Sequence, residues 1–447
     1  MLTRKSIDTI LLSVAADKLS QREWDWMKML KPMDPPPVMV ARSILERRGD
    51  TAALARLQTT EAQSVPCWTS FLDAGGLCDI EVGHVTKMLA CGTRISGVKE
   101  YGCDNPGCRH VRYITNACHS RACPSCGKKA TVLWIAARLN RLPDCDWIHL
   151  VFTLPDSLWP LFEVNRGLLN DLCRLAVDNL LFAAGKRGRD IGIFCAIHTY
   201  GRRLNWHLHV HVSVTCGGIN EHRKWKKISF RKDAMRARWM WNIRQLLPDV
   251  WYEGVALPPS LSHITTESQW HSLVLTAGGD YWHVYMSKKT AGGKNTVKYP
   301  GRHLKEPPVA GSRLAHYAGG TTLGFRHHDH NTGEQATETL TRRDIVARLK
   351  QHIPEKFFRM VRYFGFLANR VCGEKLPVVC SAPGVGNPAP VPKVCYAQMS
   401  KQFMRRDPFE CVLCGGRMEY RRAVAGLSVQ GLKTHAREIG LMRYIPG

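Results

Sequence analysis

Leu204-Asn205-Trp206-His207-Leu208-His209-Val210-His211-Val212-Ser213-Val214 alternates polar and apolar side chains almost residue by residue. Period two is the signature of a β-strand. One face therefore carries His207, His209 and His211, and the other Leu208, Val210, Val212 and Val214. Residues two apart on a strand lie about 6.6 Å apart, near enough for two imidazoles to reach one ion. Histidine is the commonest metal-ligating side chain and binds as the neutral ring available near pH 7. A single histidine on a strand usually faces water; three on one face, backed by a valine ladder, read as a metal site.

The surrounding texture is α/β. Trp147 to Leu154 reads as a strand ended by Pro155, residues 158–185 as a helix, and Ile191 to His198 as a second strand. A turn at Gly201 and Arg202 makes that strand an antiparallel neighbour of the histidine strand, which Gly217-Gly218 ends. From Arg223 to Arg244 the chain turns basic and aromatic. Lys226, Lys227, Arg231 and Arg236 are interleaved there with Trp225, Phe230, Trp239 and Trp241. Cations neutralise phosphates and aromatic faces stack on unpaired bases, so these residues suit single-stranded nucleic acid. The same pattern also fits an amphipathic helix with buried tryptophans and solvated charges.

Upstream, residues 91–126 hold six cysteines. Cys103-Asp104-Asn105-Pro106-Gly107-Cys108 and Cys123-Pro124-Ser125-Cys126 are two knuckles that together supply four thiolates, the soft tetrahedral set that structural zinc prefers. Cys118 and His119 either replace one ligand or join Cys91 in a second site. Arg94, Lys99, Arg109, Arg112, Arg121, Lys128 and Lys129 around the knuckles suit contact with phosphates. Near the C-terminus, Cys411-Val412-Leu413-Cys414 has no second Cys-x2-Cys downstream, so a metal there requires Cys395, His435 or another distant ligand.

Lysine and arginine number 63 against 37 acidic residues, a formal charge of +26 and a pI near 9.6. Such an excess makes nucleic acid the first partner to consider. No apolar run reaches the roughly 20 residues of a membrane span, and the first residues lack a signal-peptide core. The expectation is a soluble, intracellular protein without a membrane partner. At 447 residues the chain should divide into several parts. The expected parts are a helical lead-in over 1–66, a zinc-binding DNA-contact module over 67–140, and an α+β catalytic domain with a central antiparallel sheet over 145–320. An extension over 321–375, a Pro-rich linker over 376–394 and a small, mostly helical basic tail over 395–447 complete the division.

Val297-Lys298-Tyr299-Pro300-Gly301-Arg302-His303-Leu304-Lys305-Glu306-Pro307-Pro308 sets one tyrosine among Lys298, Arg302 and Lys305. These cations suit a scissile phosphate and would lower the tyrosine's pKa. With the cysteine cluster and the histidine strand, this motif makes the chain resemble the rolling-circle transposases of the insertion-sequence-91 family, members of the HUH endonuclease superfamily. The likeness runs from about Cys91 to Arg370. It implies an HUH-type catalytic domain and an N-terminal zinc module whose ligands come from Cys103, Cys108, Cys118, Cys123 and Cys126. It also implies metal binding by His209 and His211 with His207 as neighbour, and Tyr299 as nucleophile on single-stranded transposon ends and target DNA. Magnesium or manganese is the implied catalytic ion, and a bacterial cytoplasmic, nucleoid-associated location follows. Two-tyrosine members carry Tyr-x3-Tyr, whereas this chain has Tyr299 and then His303, which favours a single-tyrosine mechanism. On a helix His303 would share the face of Tyr299 and could supply a third metal ligand, although Pro300 biases Tyr299 away from helical geometry. A plasmid replication initiator or relaxase uses the same strand and tyrosine, and a non-catalytic zinc-dependent DNA-binding regulator would use the histidines structurally.

Overall fold

The computed structural model describes residues 45, 49, 51–52, 79–91, 94–120, 123, 133–135, 137, 141–277, 279, 282–292, 308, 314–315, 322–329, 332–355, 357–388, 395–398, 401 and 407–438. In chain order the elements start with α1 (Asp79–Leu89), β1 (Gly97–Cys103), β2 (Val111–Thr115), β3 (Asp146–Thr153), α2 (Trp159–Val164), α3 (Leu169–Gly185), β4 (Asp190–Tyr200) and β5 (Trp206–Ile219). They continue with β6 (Trp225–Lys227), α4 (Lys232–Tyr252), α5 (Glu267–Thr276), β7 (His283–Met286), β8 (Thr290–Ala291), β9 (Leu314–Ala315), β10 (Thr322–His328) and β11 (Gln335–Thr341). Last come α6 (Arg342–Lys350), β12 (Val361–Gly365), α7 (Cys372–Cys380), β13 (Met418–Ala425) and α8 (Val429–Glu438). These form two compact units, one of Lys129–Glu306 with Pro354–Lys393, the other of Met1–Lys128 with Pro307–Ile353 and Val394–Gly447.

The first unit, which holds the histidines, is built on an antiparallel sheet ordered β12-β4-β5-β3-β7, with β6 added to β5 and β8 to β3. The valine ladder of β5 lies on its apolar face with Ile193, Cys195 and Ile197 of β4 and Leu150 and Phe152 of β3. Helices α3 and α4 supply the other half of this core. On α4, Met235, Trp239, Ile243, Leu247 and Val250 recur at helical spacing and are all buried, one stripe of an otherwise basic helix.

That stripe corrects one expectation. Trp239 is 0% exposed, and its indole N–H donates to the Thr153 carbonyl at 3.1 Å, so it is a core residue and not a DNA-stacking one. Lys226, Lys227, Arg231 and Arg236 are exposed, and Trp241, 53% exposed, is the aromatic of this stretch left on the surface. Trp239→Ala is therefore expected to destabilise this unit by about 3–5 kcal/mol in chemical denaturation. The affinity of the remaining folded protein for single-stranded DNA is expected to stay unchanged.

Gly217 and Gly218 do not end the histidine strand but lie inside β5 and pair with β6. A Cβ on Gly217 would sit 2.5 Å from the Trp225 ring, and one on Gly218 would sit 2.4 Å from the Asp190 carbonyl oxygen. The two glycines thus allow close packing where a turn was expected. On the sheet face opposite the valines, Trp147 and Phe194 join Phe366, Leu367 and Val379 in a smaller core at this end. Val379 belongs to α7, so the expected 376–394 linker begins as packed helix with Pro377 inside it.

In the second unit, which holds most of the clustered cysteines, β1 is flanked by β2 and by β13. The tail expected to be mostly helical thus contributes a full strand, paired with β1 from Gly97↔Ala425 to Cys103↔Met418. Strands β11-β10-β9 form a second small sheet in the same unit. The helical lead-in read over 1–66 falls, apart from residues 45, 49 and 51–52, outside the described residues. Among the described residues no helix is long and apolar enough to cross a membrane.

Candidate metal centre

The alternation of β5 puts His207, His209, His211 and Ser213 on one sheet face, and pairing brings neighbours to them. His198 of β4 lies opposite His209, while His149 of β3 lies opposite Ser213. His198, His209 and His211 each offer a ring nitrogen, and the three lie within 4.8 Å of one another. His198 and His211 are 3% and 8% exposed, and His209 is half-buried, so a ligand would reach the trio from the His209 side.

Hydrogen bonds set which nitrogens face the cluster. His209 Nδ1 lies 3.0 Å from the His207 carbonyl oxygen; donating to it leaves Nε2 with the lone pair. His211 Nδ1 is 2.9 Å from His149 Nε2, and His149 Nδ1 is 3.0 Å from Ser213 Oγ. With His211 donating to His149 and His149 to Ser213, the Nε2 of His211 also keeps its lone pair. Such outer partners orient ligating histidines and raise their basicity. His207 is a neighbour and not a member of the trio. Its Nδ1 lies 2.9 Å from His209 Nδ1, its ring stands edge-on to Trp159, and burial lowers its pKa. The third imidazole is thus His198 in this arrangement; Tyr299, His303, Lys298, Arg302 and Lys305 lie outside the described residues.

His198 lies on this face by the alternation of β4 itself, since Ile193, Cys195 and Ile197 hold the apolar face. The irregularity between His198 and Tyr200, where two steps of β4 face three of β5, lies beyond it toward the hairpin. Alternation marked the strand and its faces, but not that residue 198 pairs with residue 209.

The donor set among the described residues is three imidazoles, which suits a borderline transition ion. Magnesium prefers oxygen ligands and keeps its waters, so manganese is the better fit of the two expected ions. The basic β6 lies at the far end of β5, about 23 Å along the strand from His211 to Gly218. Any DNA touching both would have to run the length of the sheet.

The cysteines group differently from the expected tetrad. Cys103 and Cys108 lie with Cys411 and Cys414, while Cys118 and Cys123 lie with Cys91. The two knuckles expected to share one metal are therefore divided between two clusters. Cys126 lies outside the described residues, and His119 belongs to neither group. The physical reason is β13, whose pairing with β1 delivers the tail knuckle to the tip of the β1–β2 hairpin.

Residues 66–154 match the transposase zinc-binding domain of IS91 elements, and residues 192–375 match the Y2_Tnp family of transposases. The transposase for insertion sequence element IS801 of Pseudomonas savastanoi pv. phaseolicola is 58% identical over 379 residues, 85% of this chain and 92% of that protein. The protein y4qJ of Sinorhizobium fredii, a transposase by name, is 27% identical over 345 residues, 74% of this chain and 86% of that protein. No solved structure matches the chain significantly. The zinc-binding match spans the Cys91–Cys123 cluster, the transposase match spans His198, His209 and His211, and the IS801 likeness covers most of the chain. The chain is accordingly a member of the insertion-sequence-91 family of transposases.

Proposed function

We propose that this transposase nicks and rejoins single-stranded DNA at the ends of its element by rolling-circle chemistry, with Tyr299 as the nucleophile. The observation that carries the reading is the convergence of His198, His209 and His211 on one sheet face. When bound there, a divalent ion supplies Lewis acidity to a non-bridging phosphate oxygen. The phenolic oxygen of Tyr299 attacks phosphorus, the bond to the 3′-oxygen breaks, and that oxygen leaves as a protonated 3′-hydroxyl. The product is a 5′-phosphotyrosine that retains the energy of the broken linkage, so another 3′-hydroxyl reverses the step without ATP. Lys298, Arg302 and Lys305 stand close to Tyr299 in sequence and favour its ionised form. His303 occupies the position of a second tyrosine, in keeping with a single covalent attachment per chain.

The exposed Lys226, Lys227, Arg231 and Arg236 would hold the backbone of the strand electrostatically. Trp241 offers a ring face beside Arg238 for an unpaired base. The reading is tested by incubating protein, Mn2+ and labelled single-stranded DNA carrying the element's ends. A denaturation-resistant adduct supports it; a gel shift with no covalent product contradicts it and leaves a DNA-binding regulator.

The His211–His149–Ser213 chain makes a separate prediction. His149→Phe removes the acceptor for His211 while keeping a flat ring, and is expected to weaken Mn2+ binding about 10- to 100-fold by calorimetry. His149→Gln, which keeps an acceptor, should recover part of that loss. Equal Mn2+ affinity in all three proteins would remove His149 from the site.

A further inference from the structure

We propose that Cys411 and Cys414 of the C-terminal tail complete a structural zinc site with Cys103 and Cys108, so that one metal ion clasps two segments some 300 residues apart in sequence. The zinc-binding domain match stops at residue 154 and accounts for only half of this ligand set. The proposal is independent of the nicking chemistry.

The spacing admits one tetrahedral ion. All four sulfurs lie within 4.8 Å of one another, with Cys103 Sγ 3.4 Å from Cys414 Sγ and Cys108 Sγ 3.7 Å from Cys411 Sγ. Zinc–sulfur bonds of about 2.3 Å set tetrahedral sulfurs about 3.8 Å apart, whereas a disulfide would need about 2.05 Å. Four thiolates are the donor set of structural zinc.

Both knuckles are closed by hydrogen bonds of their own backbone. In the tail, Gly415 N donates to the Cys411 carbonyl at 2.8 Å, and Cys411 N to the Gly416 carbonyl at 2.7 Å. Gly415 has φ +75°, a region that favours glycine. A Cβ on Gly416 would stand 3.1 Å from Cys103 Sγ and 2.8 Å from Asp104 Oδ1, so the position is kept small by the partner knuckle itself. In the hairpin, Cys108 N donates to the Asn105 carbonyl at 2.9 Å and Gly107 N to Asn105 Oδ1 at 3.0 Å. Asp104 then joins the two, its N–H donating to the Arg417 carbonyl and its Oδ1 accepting from Arg417 N, each at 2.8 Å.

The surroundings suit thiolates, of which those of Cys103 and Cys411 are buried. His110 Nδ1 lies 3.2 Å from Cys411 Sγ, where an N–H would offset sulfur's negative charge. Tyr101, Phe409, Leu413 and Met418 pack around the cluster and exclude water from one side. The ligand pairs are 303 and 311 residues apart in sequence. Closing so long a loop is where a cross-link gains most against the unfolded chain.

The test uses the full-length protein under reducing conditions. Zinc content by mass spectrometry is expected to fall by one ion per chain in Cys411→Ser/Cys414→Ser. Amides of β13 and of its β1 partners should exchange faster with deuterium in that variant, and in wild type after chelation, while β3, β4 and β5 amides keep their protection. That second sheet reports whether the variant has merely failed to fold, and chelation of wild type repeats the test without a substitution. Wild-type zinc content in the double variant, iron in place of zinc, disulfides in the reduced protein, or unchanged β13 exchange after zinc removal would each overturn the proposal.

Discussion

Tyr299→Phe is expected to abolish the covalent protein–DNA adduct and to lower strand cleavage by about 10⁴-fold or more, the scale seen when a covalent nucleophile is removed. The substitution deletes one hydroxyl, so affinity for single-stranded DNA in a filter or gel assay should change little. That separation of binding from chemistry is what a nucleophile predicts and a structural tyrosine does not. The informative exception is Tyr285. It lies on β7 opposite Val151, which is itself opposite His211, so it shares the histidine face, and it is 51% exposed. An adduct that survives in Tyr299→Phe and disappears in Tyr285→Phe would move the nucleophile to β7.

His209→Ala and His211→Ala carry the second large effect. Each removes one of three imidazoles offered to a single ion. Several kcal/mol of transition-state stabilisation comes from a metal of this kind, so about 4 kcal/mol lost corresponds to roughly 10³-fold slower cleavage. Mn2+ affinity should fall with it, and DNA binding should not. His198→Ala is expected to behave like these two. His207→Ala should slow cleavage by less than about tenfold, because His207 acts on His209 only through a neighbouring hydrogen bond. Four alanine variants therefore rank the histidines, and a His207 effect as large as that of His198 would contradict the trio.

Much of the histidine unit was legible in the sequence because its signals were local. The strict alternation from Leu204 to Val214 fixed both faces of β5, and the apolar runs at 147–154 and 191–198 marked its neighbours. What escaped depended on tertiary detail. His198 reached the site from the neighbouring strand, and which residues pair across two strands has no signature in composition. Trp239 looked like a base-stacking residue because it sits among arginines. Its spacing with Met235, Ile243 and Leu247 places it instead on the buried stripe of α4. The cysteine knuckles were recognisable one by one, but which knuckle met which was decided by β13 joining β1 across more than 300 residues, as the Cys103–Cys414 separation of 311 shows. Local spacing names ligands well and partners poorly.

The most direct measurement of the central claim is peptide mapping of the covalent product. Wild-type protein is reacted with Mn2+ and an end-bearing single strand, the DNA is trimmed by nuclease, and the adducted peptide is sequenced by mass spectrometry. The account predicts a 5′-linked nucleotide on Tyr299, absent without a divalent ion and absent in His211→Ala. A nucleotide attached to any other residue, or an adduct that forms equally well with the histidine trio disabled, would contradict it.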